Sequence, residues 1–230
     1  MGLPTVQVPT MRVIDLGRVG YEDALARQHR MVEQRIAGQL PDTLLLLEHP
    51  AVITLGRRRG AEANVVLAGD TPVIQVERGG DVTWHGPGQL VGYPIFQLGD
   101  AERDLHQVLR RLETAAIAML AALGLPGERK EGHTGVWCRG RKLVSLGVAV
   151  RGWVTFHGFA LNVAPDLAEF TRINPCGLDA RIMGSVAALG GRVPARAELC
   201  DIAAEAVAQA FGRRREASAQ TESGAQVVGS

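Results

Sequence analysis

Apolar positions in this chain recur at helical spacing in three stretches and in short strand-like runs in eight others. Tyr21, Ala24, Leu25, Gln28, Met31, Val32 and Ile36 share one face at 3.6-residue spacing, with Gly38 placed to end the helix. A second face runs through Leu105, Val108, Leu109, Leu112, Ala116, Met119, Leu120 and Leu123, with Asp100 before it and Gly124 after it. The third comprises Leu199, Ile202, Ala203, Ala206, Val207, Ala210 and Phe211 and stops at Gly212. The strand-like runs are TLLLLEHP, AVITLG, PVIQVERGG, DVTWHG, VGYPIFQL, HTGVWCR, KLVSLGVAV and WVTFHGFALNV. They follow one another through short Gly/Pro turns and do not alternate one-to-one with helices. That order predicts a single α+β domain, a mixed, largely antiparallel sheet flanked by helices. The domain is expected over residues 1–212, and the polar, aperiodic stretch 213–230 reads as a disordered tail.

Composition narrows the classes. Apolar residues make up 46% of the 230, enough for a sizeable core. No apolar run approaches the ~18 residues of a membrane span, and the N-terminus lacks a basic start followed by an apolar stretch. A net charge of +1 provides no global field toward nucleic acid or a membrane surface. Three cysteines, at 138, 176 and 200, do not make a disulfide framework and fit a reducing cytoplasm. Neither CxxC nor HExxH is present, so no metal is expected. Glycine stands out, with 28 of 230 against a usual ~7%. Such a chain has many positions suited to positive φ or close backbone approach.

The densest chemical signal is Arg78-Gly-Gly-Asp-Val-Thr-Trp-His85-Gly-Pro-Gly-Gln89. It reads either as a hairpin with a glycine-rich turn or as a loop whose bare backbone cradles a ligand. Cys176, in Ile173-Asn-Pro-Cys-Gly-Leu178, sits between a proline and a glycine, a context suited to an accessible nucleophile. Cys138, in a strand-like run, and Cys200, on the apolar side of the last helix, read as packing residues. Lys142 opens the run KLVSLGV; it is either a solvated charge leaving a turn or a cation that lowers the pKa of a nearby thiol. Ser145, Leu146 and Gly147, with Gly158, Phe159 and Ala160, place small residues on two strands. They either line a slot for a thin alkyl chain or allow close packing.

Taken in order, RGGxxTWHGPGQ, KxxSxG, HGFALN and NPCG resemble the lipoyl(octanoyl) transferase family over roughly residues 40–212. The resemblance implies one α+β catalytic domain of the kind shared with biotin and lipoate ligases. It implies that Cys176 is the acyl-thioester nucleophile and that Lys142 tunes it. It also implies an acyl pocket lined by Arg78, Gly79, Gly80, Asp81, Val82, Thr83, Trp84 and His85, by Ser145, Leu146 and Gly147, and by Gly158, Phe159 and Ala160. The donor would be octanoyl-acyl carrier protein, its phosphopantetheine arm a substrate, with no separate cofactor. The acceptors would be lipoyl domains of 2-oxoacid dehydrogenase and glycine-cleavage complexes. Three other readings stand beside this one: an ATP-dependent ligase of the same fold, a non-catalytic acyl-binding module, and a cysteine hydrolase with His85 or His157 as base.

Overall fold

The computed structural model describes residues 8–174, 180–216 and 220–221. In chain order its elements are β1 (Thr10–Arg18), α1 (Tyr21–Ile36), β2 (Asp42–Glu48), β3 (Val52–Leu55), β4 (Val73–Gln75), β5 (Val82–His85) and β6 (Gln89–Ile95). There follow α2 (Leu105–Ala122), β7 (Glu128–Lys130), β8 (His133–Cys138), β9 (Arg141–Arg151), β10 (Val154–Asn162), α3 (Arg196–Phe211), β11 (Arg214–Arg215) and β12 (Gln220–Thr221). The large sheet runs β11-β1-β2-β6-β10-β9-β8-β7, with β12 also on β1, and a small sheet runs β4-β3-β5. In the large sheet β1 pairs parallel with β2, β11 and β12, while the run from β2 to β7 is antiparallel throughout.

The four leucines of β2 explain the layering. Strand side chains alternate between faces; Leu44 and Leu46 enter the core beneath α2 and α3, and Leu45 and Leu47 the core beneath α1. A strand buried on both faces reads as a continuous apolar run, and all four leucines are fully buried. The α+β expectation holds, and each of the eight strand-like runs contains a strand. A third cluster, including Ile53, Val82, Trp84, Phe170, Ile173 and Met183, forms the core of the small sheet.

The helices fall where the periodicity places them, with one difference. The α2 cap is Asp104, whose carboxylate accepts from the His106 N–H at 2.8 Å, whereas Asp100 opens a separate 3-10 turn. Gly212 closes α3 in the left-handed conformation at φ 61°.

The start of the expected tail is a correction. Arg213 is buried; its Nε donates to Asp42 at 3.0 Å and its Nη atoms to Glu102 at 2.6 and 2.9 Å. Arg214 and Arg215 then add to β1, as do Gln220 and Thr221. Aperiodic polar sequence conceals this because two carboxylates, not apolar burial, draw the segment in. Residues 217–219 and 222–230 lie outside the described residues, as does Cys176.

Removing one partner of a buried, hydrogen-bonded ion cluster leaves the others uncompensated, so Arg213→Ala should cost about 3–5 kcal/mol by urea denaturation. Burial pushes the Glu102 pKa up, but its bonds from Arg213, the Gly99 N–H and Arg111 outweigh this and hold it at about 2. The folded pKa lies below the unfolded one, so this contribution is present above about pH 4.5 and fades as pH falls toward 2. The acid sensitivity of the variant should be correspondingly shallower.

Candidate active site

The glycine-rich segment after β4 is held down by its own first and fourth residues. Arg78, buried, donates from Nη1 to the carbonyls of Gly79 (3.2 Å) and Asp81 (2.9 Å), and from Nη2 to the carbonyl and hydroxyl of Thr54 (3.0 and 2.9 Å). The buried Asp81 carboxylate accepts from Val82 N–H (2.7 Å), from Asn64 (2.9 and 3.0 Å) and from Arg58 (3.1 Å). Both charged groups are therefore committed to shaping the loop, and Asp81 is a staple rather than a base. The loop touches the large sheet where the Gly79 N–H donates to the Val148 carbonyl at 3.0 Å, which removes that N–H from any oxyanion cradle. Gly147 faces it: a Cβ there would lie 2.9 Å from the Gly79 carbonyl and 3.1 Å from Arg78 Cδ.

Beneath this loop lies a cavity of about 610 Å³. Lys142 lines it, as does every residue that the resemblance assigns to substrate binding except Trp84. Trp84 is the exception. It alternates with Thr83 and His85 along β5, so its ring turns into the small-sheet core, edge-on to Phe170 at 5.2 Å. The glycines on β10 and β6 also have packing reasons. A Cβ on Gly158 would collide with the Gly92 carbonyl, and one on Gly92 with the Phe159 ring. The small residues border the cavity and also let backbone approach backbone.

Further walls come from residues outside the motifs. Tyr21 and Tyr93 line one region with His157, and Leu105, Leu109, His133, Thr134 and Trp137 contribute from α2 and β8. Trp137 had a legible signal, since strand pairing sets it directly across from Lys142. Tyr21 and Tyr93 lie at a helix start and in mid-strand, with no local motif to mark them.

The polar wall is a chain of buried hydrogen bonds. The Asn162 amide donates to the Gly184 carbonyl (2.9 Å), so its Oδ1 accepts from Gln89 Nε2 (2.9 Å). The Gln89 Oε1 then faces His85 Nδ1 at 2.7 Å, which makes His85 the donor and fixes the Nδ1-protonated neutral tautomer. Burial, then the His49 ring 5.8 Å away, pushes His85 down to about 3. His49, which bonds the Val19 carbonyl and the Tyr93 hydroxyl at 2.8 Å each, and His157 are both lowered to about 4 by burial first. His157 also holds φ at 56° in mid-strand, its N–H donating to the buried Gln28 Oε1 at 2.7 Å. A base works best with a pKa near the working pH, so His85 and His157 are ill suited to the hydrolase role.

Cys138 and Cys200 are buried, and burial raises both thiols, Cys200 to about 12. Both are protonated packing residues at neutral pH. Cys176 and its roles lie outside the described residues; the chain leaves the described part at Asn174, whose N–H donates to the Asn64 carbonyl at 2.7 Å. The chain returns beside Lys142, where the Gly184 N–H donates to the Lys142 carbonyl at 3.0 Å. Among the described residues no group of three or more His, Cys, Asp and Glu is arranged to hold a metal ion, and no helix is long and apolar enough to cross a membrane.

The model of the lipoyl protein ligase A/B catalytic domain matches residues 20–210, a span that begins earlier than the motifs indicate and takes in α1. The octanoyltransferase of Geobacter metallireducens is 52% identical over 182 residues, 79% of this chain and 84% of that protein. That of Gloeobacter violaceus is 48% identical over 210 residues, 90% of this chain and 93% of that one. Among solved structures, lipoate-protein ligase A bound with ATP is similar with a TM-score of 0.70 at 14% identity, over 94% of this chain and 90% of that one. A bipartite lipoate protein ligase from Thermoplasma acidophilum reaches 0.69 at 16%, over 93% and 88%. At these identities the two structures speak to the fold alone.

The amide relay yields a spectroscopic expectation. In ¹⁵N-histidine NMR, His85 should stay neutral and Nδ1-protonated from pH 8 down to about pH 4. Gln89→Leu should abolish that tautomer preference, and an Nε2-protonated His85 in the wild type would contradict the relay. Because folding lowers the pKa of all three histidines, they add stability above the unfolded pKa of 6.5 that is lost as pH falls through about 4 to 3.

Proposed function

We propose a specific reaction for this chain, which belongs to the lipoyl protein ligase A/B catalytic-domain family and is an acyltransferase: it moves an octanoyl group from a carrier-protein thioester, through Cys176, onto a lysine of a lipoyl domain. The observation that carries the reading is the cavity. It gathers the glycine-rich loop, the small-residue segments of β9 and β10, and Lys142 in a chain about half identical to proteins named octanoyltransferase.

In the first step the Cys176 thiolate attacks the thioester carbonyl, with Lys142 as the cation that favours the thiolate, and the carrier's pantetheine thiolate leaves and takes up a proton. Backbone N–H groups steady the tetrahedral oxyanion. In the second step the acceptor lysine, deprotonated, attacks octanoyl-Cys176, and the cysteine leaves as thiolate. The acceptor's free pKa near 10.4 leaves less than about a thousandth of it neutral at pH 7, so a base is needed. Lys142 and the departing thiolate are the two candidates. Thioester exchange is roughly balanced and thioester-to-amide transfer is downhill, so the sequence of steps requires neither ATP nor a cofactor. A reducing cytoplasm suits a mechanism that runs through a free thiol. Residues 1–212 supply the catalytic domain in this reading.

Incubation with octanoyl-carrier protein should add one octanoyl mass to the wild type and none to Cys176→Ala. Acylation at Cys138 or Cys200, or product formed from free octanoate with magnesium ATP, would overturn the assignment. Lys142→Arg separates the lysine's two roles. A fixed charge preserves acylation, while guanidinium cannot carry the proton, so octanoyl-enzyme should accumulate if Lys142 is the base.

Docking yields a further expectation. Arg57, Arg58 and Arg59 are exposed beside the cavity, and Arg58 is already held by Asp81. Arg57→Ala with Arg59→Ala should therefore raise KM for an acidic carrier protein and flatten its salt dependence, with kcat little changed. A KM indifferent to both changes would exclude electrostatic docking here.

A further inference from the structure

Lys142 is buried although it lines the cavity, so something other than solvent determines where its side chain lies. Its carbonyl is held by the Gly184 N–H at 3.0 Å, and Trp137 is its cross-strand partner. The β8–β9 ladder slips register between Val136 and Trp137, immediately after Gly135. Gly135 is itself buried and holds φ at 129°, a conformation that residues with a side chain rarely adopt. A Cβ at Gly135 would stand 2.7 Å from Lys142 Cε, 3.4 Å from Nζ and 2.5 Å from the Val144 carbonyl. The lysine stem thus runs across the bare α-carbon of Gly135, in the space where any other residue would carry its side chain. From behind, the Gly135 N–H leans on the buried Glu113 of α2, whose Oε1 lies 3.4 Å away; the other carboxylate oxygen is taken by Arg110 (2.8 Å) and Arg129 (3.0 Å).

We propose that Gly135 is a positioning residue for the transfer reaction: its missing side chain is the bed on which Lys142 lies, and it places the ammonium for the thiol it serves. This rests on the reading of Lys142 as the group that activates Cys176. A lysine has several rotatable bonds, and an ammonium favours a thiolate only from within about 4–6 Å, so a stem left to wander would serve the thiol for a fraction of the time. A methyl at Gly135 displaces the flexible end of the lysine first. The same methyl also meets the Val144 carbonyl and strains the backbone at φ 129°, so Gly135→Ala disturbs the strand pair as well, and the Lys142→Met background separates the two effects.

The test is the pH dependence of iodoacetamide alkylation at Cys176, with acylation by octanoyl-carrier protein, for wild type, Gly135→Ala, Lys142→Met and the double variant. Gly135→Ala should raise the alkylation pKa by about one unit and slow acylation about tenfold or more, with KM for the carrier nearly unchanged. In the Lys142→Met background the same glycine change should leave the alkylation pKa where Lys142→Met puts it. An equal additional shift in that background would mean that Gly135→Ala acts by distorting the strand, and the proposal fails. No shift from Gly135→Ala alongside a clear shift from Lys142→Met sinks the proposal and leaves the Cys176–Lys142 pairing intact. No shift from Lys142→Met removes that pairing, and with it the basis for both. Should Gly135→Ala not fold, wild type labelled with ¹³C-glycine and ¹³C-lysine decides. A nuclear Overhauser contact between Gly135 Hα and Lys142 Hε is expected, and its absence overturns the proposal.

Discussion

The active-site geometry depends on one close approach, that of the glycine-rich loop to the face of β9. The Gly79 N–H reaches the Val148 carbonyl at 3.0 Å only because Gly147 opposite has no side chain. Gly56 plays the same part below, where a Cβ would collide with the Gly80 carbonyl. Backbone packed this tightly favours protein partners for the polar groups it covers. Arg78 and Asp81 supply them, bonding carbonyls, N–H groups and each other's segment. They are charged residues in a cavity wall whose charges are already occupied. What the cavity offers a substrate is therefore mostly backbone, apolar and aromatic side chains and the neutral rings of His85 and His157, with Lys142 on its wall.

In the proposed reaction that neutrality would matter for the thioester. A low-dielectric pocket strengthens whatever charge is left in it, and His85, His49 and His157 are all kept uncharged by burial. In the proposed reaction, imidazolium at His85 or His157 would compete with Lys142 for the thiolate and would raise the cost of bringing in an ammonium acceptor. The relay through Gln89 and Asn162 to the Gly184 carbonyl holds His85 in one tautomer and ties it to the segment that runs beside Lys142.

How far the sequence reveals this follows from which forces built each part. The layering of β2 is legible because burial on both faces writes itself as four consecutive leucines. The helices are legible through their periodicity. The segment at Arg213 is not, since its anchor is a pair of acids more than one hundred residues away in sequence. Trp84 sits inside the strongest motif yet faces away from the cavity, its ring in the core of the small sheet. Motif membership says that a segment matters, but not which residues border the cavity: Val82, two residues before Trp84 on the same strand, borders it and Trp84 does not.

The His85-Gly-Pro-Gly-Gln89 turn shows the same division at finer grain. His85 lines the cavity, but its neighbours face elsewhere. A Cβ on Gly86 would collide with the Trp84 ring, and one on Gly88, at φ 83°, with the backbone of Ala164. The Gly88 carbonyl accepts from the N–H groups of Val163 and Ala164 at 3.1 and 2.9 Å, and its N–H donates to Glu48 at 2.8 Å. The turn therefore rivets the end of the small sheet's last strand to the ends of β10 and β2. A histidine set on such a joint holds its place relative to both sheets. Because the turn bonds both through its backbone, its glycines answer to packing while His85 borders the cavity. Substitution at Gly88 would then open the joint between β5, β10 and β2, whereas substitution at His85 would change one ring and leave the joint closed.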